Sequence, residues 1–281
     1  MGNSIANPNR NVANVGLVAL DIDGTLLAPG VHHLAVPDAR ITAAVAQLQQ
    51  SGVVVVLATG RMFPGTAYIA KHLGISQPLI CQQGASIHQL NGDLVTRFAI
   101  DPKIAREIAE LAIEEGLPYA WFDAQRYLVS ETSPAAQYFA DVSGVTVEQH
   151  KEPLNSGLTA TGVDIISTPE RSGDIYRRLA KRYGDQIELL DFTGVTAAHS
   201  KDANKGKALK ILAQEFGVAQ AQVVAIGDSL NDVSMLEWAG LGASPGHCDS
   251  HARAATDRVL PGEGVEGIAG VAALLEELAG Q

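Results

Sequence analysis

Cysteine is scarce in this sequence, since the 281 residues include only Cys81 and Cys248. Two cysteines so far apart form neither a disulfide framework nor a CxxC motif for zinc or redox chemistry. A reducing compartment is the simplest interpretation, and we expect a cytoplasmic protein. No apolar run approaches the roughly 18–20 residues that a transmembrane helix requires, so we expect no membrane partner.

Positive charge is also in short supply. The chain has 20 Lys and Arg against 31 Asp and Glu, a formal charge of −11. Binding to duplex nucleic acid needs a basic surface that neutralises backbone phosphates, so we expect no nucleic-acid partner. The glycine-rich P-loop pattern is absent as well. Any phosphate that the protein binds is therefore expected as one small group in one local site.

Aromatic residues make up only 5% of the chain, although 46% of its residues are hydrophobic and 18% are charged. This balance excludes a disordered chain, and the length suits one large domain or two ordinary ones. The densest aromatic group is Tyr119, Trp121, Phe122 and Tyr127. We expect these rings to pack in a core, with stacking on a sugar ring as the alternative.

Apolar runs that end abruptly in polar residues dominate the two ends of the chain. They lie at 17–20, 53–58, 79–81 and 223–226, and the first, second and fourth lead into Asp21, Thr59 and Gly227-Asp228. Helical periodicity lies between them, as at Ile41, Val45 and Leu48. This alternation predicts an α/β core with a doubly wound, mostly parallel, Rossmann-like sheet. Its site is expected at the carboxyl ends of the strands.

The middle of the chain has a different pattern. Segments such as 94–98 and 119–122 suggest strands, with helical spacing over 104–111 and 175–183. We predict an inserted α+β domain at 85–199, with an antiparallel sheet covered on one face by two helices. The core then comprises 1–84 and 200–281, and residues 1–14 are expected to form a loose tail.

Paired carboxylates follow two of the predicted core strands. Asp21 and Asp23 share one face of an extended segment, while Asp228 and Asp232 follow the fourth apolar run. Several acids at one site are costly unless a cation lies between them, and hard oxygen ligands suit Mg²⁺. An acidic turn without function is the alternative for Asp-x-Asp taken alone. Acids at a second strand end favour the catalytic interpretation.

Groups that hold phosphate oxygens lie at the other ends of strands and helices. Thr59 and Gly60 end the second run with a hydroxyl and a backbone N–H, and Lys205 begins a predicted helix. Together with the carboxylates they supply a nucleophile, an acid, metal ligands and a cation. Phosphoryl transfer requires this set of groups.

Four segments, taken in this order, resemble the motifs of the haloacid dehalogenase-like hydrolases. More specifically, the chain resembles the Cof-type phosphatases with the B form of the class II cap, and the resemblance extends from Leu17 to about Leu278. The inserted domain at 85–199 corresponds to the cap. The four segments are Asp21-Ile22-Asp23-Gly24-Thr25-Leu26, Leu57-Ala58-Thr59-Gly60-Arg61, Asn204-Lys205-Gly206 and the run from Gly227 to Leu236.

The resemblance implies a role for each matching residue. Asp21 is the nucleophile that forms an aspartyl-phosphate, and Asp23 is the general acid and base. Mg²⁺ is held by the Asp21 carboxylate, the main-chain carbonyl of Asp23 and the Asp228 carboxylate, with Asp232 as a further ligand or a neighbour of one. The groups implied for phosphate are Ile22, Thr59, Gly60, Lys205 and Asn231.

The expected function is that of a Mg²⁺-dependent phosphatase acting on small phosphorylated metabolites, with sugar phosphates as the expected class. The alternatives are a phosphotransferase or mutase acting on sugars, and a sensor that binds a phosphorylated ligand without catalysis. We expect a monomer or a homodimer. Gln83 stands where the family usually has asparagine, and the segment 240–246 lacks another asparagine, so substrate contacts are expected to differ there. Arg61 is expected to be solvated or paired within a loop, with contact to the substrate as the alternative.

Overall fold

The computed structural model describes residues 14–32, 34–192 and 194–280. Apart from Asn14, the predicted tail at 1–14 lies outside these residues. None of the helices in the described ranges has the length and apolar character needed to cross a membrane.

The strands and helices alternate along both ends of the chain. The strands are β1 (Leu17–Leu20), β2 (Val54–Leu57), β3 (Leu79–Cys81), β4 (Ser86–His88), β5 (Leu94–Arg97), β6 (Tyr119–Phe122), β7 (Tyr127–Val129), β8 (Val147–Gln149), β9 (Gly162–Ile166), β10 (Ile187–Phe192), β11 (Val195–Ser200), β12 (Val223–Ile226), β13 (Leu241–Ser244) and β14 (Arg258–Val259). The helices are α1 (Ala39–Gln50), α2 (Phe63–His72), α3 (Pro102–Glu114), α4 (Pro134–Ser143), α5 (Pro169–Tyr183), α6 (Lys205–Glu215), α7 (Val233–Trp238), α8 (Ser250–Ala255) and α9 (Val265–Ala279).

A five-stranded parallel sheet in the order β14-β13-β12-β1-β2 forms the core, and the predicted fold class is confirmed. In its centre, Leu17 is in register with both Val54 and Val223. Because these three strands run in parallel, their carboxyl ends meet at one edge. The residues after β1, β2 and β12 are therefore neighbours in space.

Helices cover both faces of this sheet. One face packs against α1, α2 and α9, and the other against α6, α7 and α8. Local sequence explains where α1 begins, since the side chain of Asp38 accepts a hydrogen bond from the N–H of Ile41 at 2.9 Å. The sheet is therefore buried on both sides, as its continuous apolar runs predict.

The inserted region contains a six-stranded sheet in the order β10-β11-β9-β6-β7-β8. Helices α3 and α5 pack on one face, as predicted, with Ile104, Ile108, Ile175 and Leu179 against Val163. The pairing of β7 with β8 is parallel, which the prediction of a wholly antiparallel sheet missed. The physical reason is α4, which connects these two strands as a crossover.

Segment 94–98 was predicted as a strand of this inserted sheet. Instead β5 pairs with β4, and both join β3 in a separate three-stranded sheet. A short turn closes the hairpin, where the N–H of Gln89 bonds to the carbonyl of Asp93 at 2.8 Å. Local pairing across this turn therefore prevails. The domain boundaries at 84/85 and 199/200 stay predictions.

The second face of the six-stranded sheet is turned toward the carboxyl edge of the core sheet. Side chains alternate along β9, so that Val163 and Ile165 face the helices while Asp164 and Ile166 lie on the opposite side. The cavity described below is therefore enclosed by both parts of the chain.

Candidate active site

Asp21 and Lys205 form the buried centre of the site. Asp21 follows β1 and is 3% exposed, while Lys205, the first residue of α6, is fully buried. The side chain of Asn204 caps this helix by accepting a hydrogen bond from the N–H of Lys207 at 2.8 Å. The Lys205 Nζ atom donates to Asp21 Oδ1 at 2.7 Å and to Asp232 Oδ1 at 2.5 Å.

Asp232 is fully buried and shapes the loop after β12. Its Oδ1 atom accepts from Lys205, and its Oδ2 atom accepts the backbone N–H groups of Asp228 at 2.9 Å and Ser229 at 3.1 Å. Both carboxylate oxygens are thus engaged with the protein. The contacts fix the position of Asp228 relative to Lys205.

Three carboxylates converge beside Lys205. One oxygen each from Asp21, Asp228 and Asp232 lies within 4.8 Å of the others. Burial, and secondly the negative charge of Asp232, raise the pKa of Asp228 to about 7, and burial raises the pKa of Asp21 as well. One lysine balances only one of three negative charges, so the cluster has a deficit of positive charge. These hard oxygen donors fit Mg²⁺, which would supply that charge.

Asp23 is not one of these three clustered acids, and its carboxylate pairs with Arg61. The Arg61 Nε and Nη2 atoms donate to Asp23 Oδ2 and Oδ1 at 2.7 and 2.5 Å. Arg61 is only 2% exposed, whereas the Asp23 side chain is 45% exposed. For Arg61 the expectation of solvation is wrong and that of pairing within the loops is right, while contact with the substrate stays a prediction. The end of β2 lies beside the end of β1, which buries the guanidinium next to the Asp23 loop.

Thr59, Gly60 and Ile22 lie around the same edge. The hydroxyl of Thr59 accepts the N–H of Arg61 at 3.2 Å, and Thr59 is 1% exposed. The side chain of Ile22 packs in the core, so any contact that this residue makes with phosphate is through its main chain. A Cβ on Gly60 would lie 2.3 Å from Gln83 Nε2, so a side chain there would displace Gln83.

Gln83 belongs to the site, although the sequence placed it only near the boundary with the inserted domain. Its Oε1 atom accepts from Asn231 Nδ2 at 2.8 Å, and Asn231 Oδ1 in turn accepts from the Ser229 hydroxyl at 2.6 Å. The backbone of Gln83 is left-handed, with φ of 60° and ψ of 20°. This conformation aims a longer amide at the residue implied for phosphate. The departure from the family's asparagine is the sequence signal.

A second loop braces the segment after Asp23. His247 Nε2 donates to the carbonyl of Gly24 at 2.7 Å, and the Thr25 hydroxyl donates to Asp228 Oδ1 at 3.2 Å. Gly24 has a φ of 86°, and a Cβ there would lie 2.2 Å from Asp228 Oδ2. Glycine is therefore required, and His247 holds the loop that follows the paired acids.

A cavity of about 410 Å³ separates these groups from the inserted sheet. Asp21, Asp23, Thr59, Gln83 and Asn231 line it from the core. The side chains on the opposite wall are mostly apolar. They are Phe122, Tyr127, Ala135, Ala136, Tyr138, Phe139, Val142, Asp164, Ile166, Phe192, Val195, Ala197 and His199.

The four aromatic residues singled out in the sequence divide between two environments. Tyr119 and Trp121 pack in the core of the inserted domain, whereas Phe122 and Tyr127 line the cavity. Phe139, on α4, contacts both cavity rings, with ring centroids 5.7 and 4.9 Å apart. Sequence reasoning missed this helix. Its start at Ser133-Pro134 and its end before a glycine were the available signals.

Comparisons with known proteins agree with this architecture. The family model of the haloacid dehalogenase-like hydrolases matches residues 18–271 of this chain. Phosphatase YwpJ of Bacillus subtilis is 26% identical over 290 residues, covering 90% of this chain and 97% of YwpJ. A haloacid dehalogenase-like hydrolase from Bacteroides thetaiotaomicron has a TM-score of 0.81 at 21% identity, covering 94% of this chain and 99% of its own. The HAD subclass IIB sugar phosphatase BT4131 has a TM-score of 0.77 at 19% identity, covering 93% and 98%.

The chain belongs to the haloacid dehalogenase-like hydrolase family. The predicted family and enzyme class are thereby confirmed, and the protein is a phosphatase. The individual roles of the site residues stay predictions.

Proposed function

We propose that this protein is a Mg²⁺-dependent phosphatase that hydrolyses small phosphorylated metabolites through an aspartyl-phosphate on Asp21. One observation carries the proposal. The Asp21 carboxylate lies on the floor of the cavity, bonded to Lys205 and next to two further carboxylates, while Asp23 lines the same cavity. A nucleophile and a candidate acid thus face one enclosed space, and a buried cation is bonded to the nucleophile.

In the proposed reaction an oxygen of Asp21 attacks phosphorus, and the bond from phosphorus to the leaving oxygen breaks. Asp23 protonates that leaving oxygen, then takes a proton from the water that hydrolyses the aspartyl-phosphate. Lys205 favours the ionised form of Asp21 and orients its carboxylate. Arg61 holds the Asp23 carboxylate in place through two hydrogen bonds. Thr59, Lys205, Asn231 and the main chains of Ile22 and Gly60 bind the phosphoryl oxygens.

Mg²⁺ would be held by Asp21, Asp228 and the main-chain carbonyl of Asp23, with Asp232 as a ligand or as the neighbour that positions Asp228. When bound, the ion neutralises charge on the transferring phosphoryl group and keeps the acids ionised. The inserted domain, at 85–199, acts as the cap that excludes water from the cavity.

Small phosphorylated metabolites suit a cavity of this size, and sugar phosphates are the first class to test. One structural neighbour is named as a sugar phosphatase, and this likeness supports the choice. A cytoplasmic location is proposed because both cysteines are free and buried. A monomer or homodimer is proposed as the working state.

The test is phosphate release from p-nitrophenyl phosphate with purified protein, in Mg²⁺ and after chelation. We expect turnover that requires Mg²⁺ and that falls at least about 10⁴-fold in Asp21→Asn. The matched control is Asp174→Asn, which changes an exposed carboxylate on α5 and should leave turnover unchanged. An unchanged melting temperature shows that Asp21→Asn is folded.

The alternatives give different outcomes. Transfer of the phosphoryl group to an added sugar, without phosphate release, would identify a phosphotransferase or mutase. Binding of phosphorylated sugars without turnover would identify a sensor. Turnover at the wild-type rate in Asp21→Asn would reject the proposed nucleophile.

A further inference from the structure

The wall of the cavity contributed by the inserted domain contains a buried carboxylate without a partner. Asp164 lies on β9 and is 6% exposed, and its Oδ1 atom has no hydrogen-bond partner among the described residues. A buried polar atom without a partner costs about 1–3 kcal/mol, and more when it is charged. Because the Asp164 side chain also lines the cavity, a donor group of a bound ligand can pair with this carboxylate.

The surroundings of Asp164 are apolar. It lies opposite Ala197 on β11 and Ala120 on β6, and the rings of Phe122 and Tyr127 line the same wall. Among the described lining residues of the inserted domain, Asp164 is the only carboxylate. Burial alone raises its pKa to about 7, because among the described residues no positive group lies near enough to lower it. The described part of the chain therefore supplies no countercharge for Asp164.

His199 adds a second acceptor to this wall. It pairs with Gly162, two residues before Asp164 on β9, so the side chains of His199 and Asp164 lie on the same face of the sheet. Its Nδ1 atom lies 3.1 Å from the carbonyl of Thr161, so Nδ1 carries the proton in that hydrogen bond. Burial lowers the pKa of His199 to about 4, so the ring is neutral and Nε2 is an acceptor. The ionised Asp164 carboxylate and the His199 Nε2 atom are therefore both hydrogen-bond acceptors.

We infer that Asp164 is a specificity-determining residue that binds a hydrogen-bond donor, best a protonated amine, on the leaving group of the substrate. The inference rests on the proposed function, which places the phosphoryl group at Asp21 and the leaving group against the inserted domain. The preferred substrates are phosphate monoesters whose leaving group, with an apolar or aromatic body or a sugar ring, carries an amine. A donor pairs with the carboxylate, and the apolar body packs on Phe122, Tyr127 and Phe139.

The test uses two matched pairs of substrates that differ in the amine. The first is 4-(2-aminoethyl)phenyl phosphate against 4-ethylphenyl phosphate, and the second is glucosamine 6-phosphate against glucose 6-phosphate. We expect wild-type kcat/KM to favour the amine by at least about tenfold in at least one pair. The preference should disappear in Asp164→Leu, which has a similar size, and shrink in Asp164→Asn.

Asp174→Asn again serves as the control, since α5 packs on the opposite face of the sheet, and its preference should match that of the wild type. Melting temperatures establish that each variant is folded. Equal kcat/KM within both pairs in the wild type, or a preference that survives in Asp164→Leu, would overturn the inference.

A binding measurement separates this inference from the proposed function. If Mg²⁺-dependent turnover is not found, calorimetry compares tyramine with 4-ethylphenol as ligands of the wild type and Asp164→Leu. Tighter binding of tyramine that is lost in the variant supports the role of Asp164 even though the proposed function has failed. Equal binding of the two phenols rejects it.

Discussion

The two walls of the cavity differ in how their polar groups are satisfied. On the core side, both oxygens of Asp232 and both oxygens of Asp23 accept hydrogen bonds from the protein. On the side of the inserted domain, Asp164 has an oxygen without a partner in the described residues, among aromatic and aliphatic side chains. The core wall is already organised, whereas the opposite wall is incomplete without a ligand.

This difference separates reactivity from selection. Groups that must stabilise a transition state are held by the protein before substrate arrives, which avoids reorganisation during the reaction. A group that selects a substrate gains discrimination when its partner comes from the substrate, because a ligand without that partner leaves it unsatisfied. Substitutions on each wall test this comparison.

The largest effect is expected from Lys205→Met, which leaves Asp21 and Asp232 buried without their shared cation. We expect a loss of about 3–5 kcal/mol in the free energy of unfolding, measured by denaturant titration in chelator. The control is Lys207→Met, two residues along α6, whose exposed ammonium pairs with Asp202 at 2.9 Å. It should change stability by less than about 1 kcal/mol. Similar losses of unfolding free energy in the two variants would contradict the interpretation that the protein itself organises the core wall.

Asp164→Asn should affect stability in a pH-dependent way. Because the folded pKa, about 7, is above the ordinary value of 3.8, the wild type is most stable with Asp164 protonated and loses stability progressively as pH rises from 3.8 to about 7. The difference corresponds to about 4 kcal/mol at most. Two other titratable groups of the cavity stay neutral between pH 5 and 8, because the pKa of His199 is lowered and that of Tyr127 is raised.

Unfolding free energies of the wild type and Asp164→Asn at pH 5 and pH 8 check this expectation. The stability of the Asn variant relative to the wild type should increase with pH. If the unfolding free energies of the two proteins differ by the same amount at pH 5 and at pH 8, Asp164 is solvated or paired in solution.

The core could be predicted from sequence because its signals are local and continuous. An apolar strand that ends in Asp21 and a helix that begins at Lys205 indicate their positions without tertiary information. Parallel pairing then brings Asp21, Thr59 and Asp228 to one edge. The contact of Lys205 with both Asp21 and Asp232 depends on packing across the sheet, and no spacing in the sequence specifies it.

The opposite wall was harder to predict because its signals are short and interrupted. β7 has three residues, and α4 carries Phe139 but was recognisable only from its ends. Asp164 stands in the otherwise apolar strand Gly162–Ile166, and that contrast was a usable signal. The burial of Arg61 depends on the neighbouring strand end. Sequence alone does not show that neighbour, and solvation was therefore one of the expectations for this residue.

Arg61→Met tests the positioning of Asp23 and should lower kcat about 10- to 100-fold with little change in KM. The reason is that Asp23 keeps its carboxylate but loses the bidentate contact that fixes it. Arg61→Lys should recover only part of the rate, because an ammonium cannot form the planar fork. The control is Arg126→Met, which removes a similar bidentate pair with Glu148 from the surface. A rise in KM with unchanged kcat would instead assign Arg61 to substrate binding.

The smallest effect is expected from Gln83→Ala, which removes the acceptor for the Asn231 amide on the core wall. One neutral hydrogen bond contributes about 0.5–1.5 kcal/mol, so kcat/KM should fall about 3- to 10-fold. Gln220→Ala is the control, because it removes a comparable amide bond to the Trp238 carbonyl on an exposed surface. The Gln83 variant should reduce kcat/KM equally for the amine and amine-free members of each substrate pair, since it acts on the phosphoryl side. An altered preference for the amine would show that the two walls are coupled rather than separate.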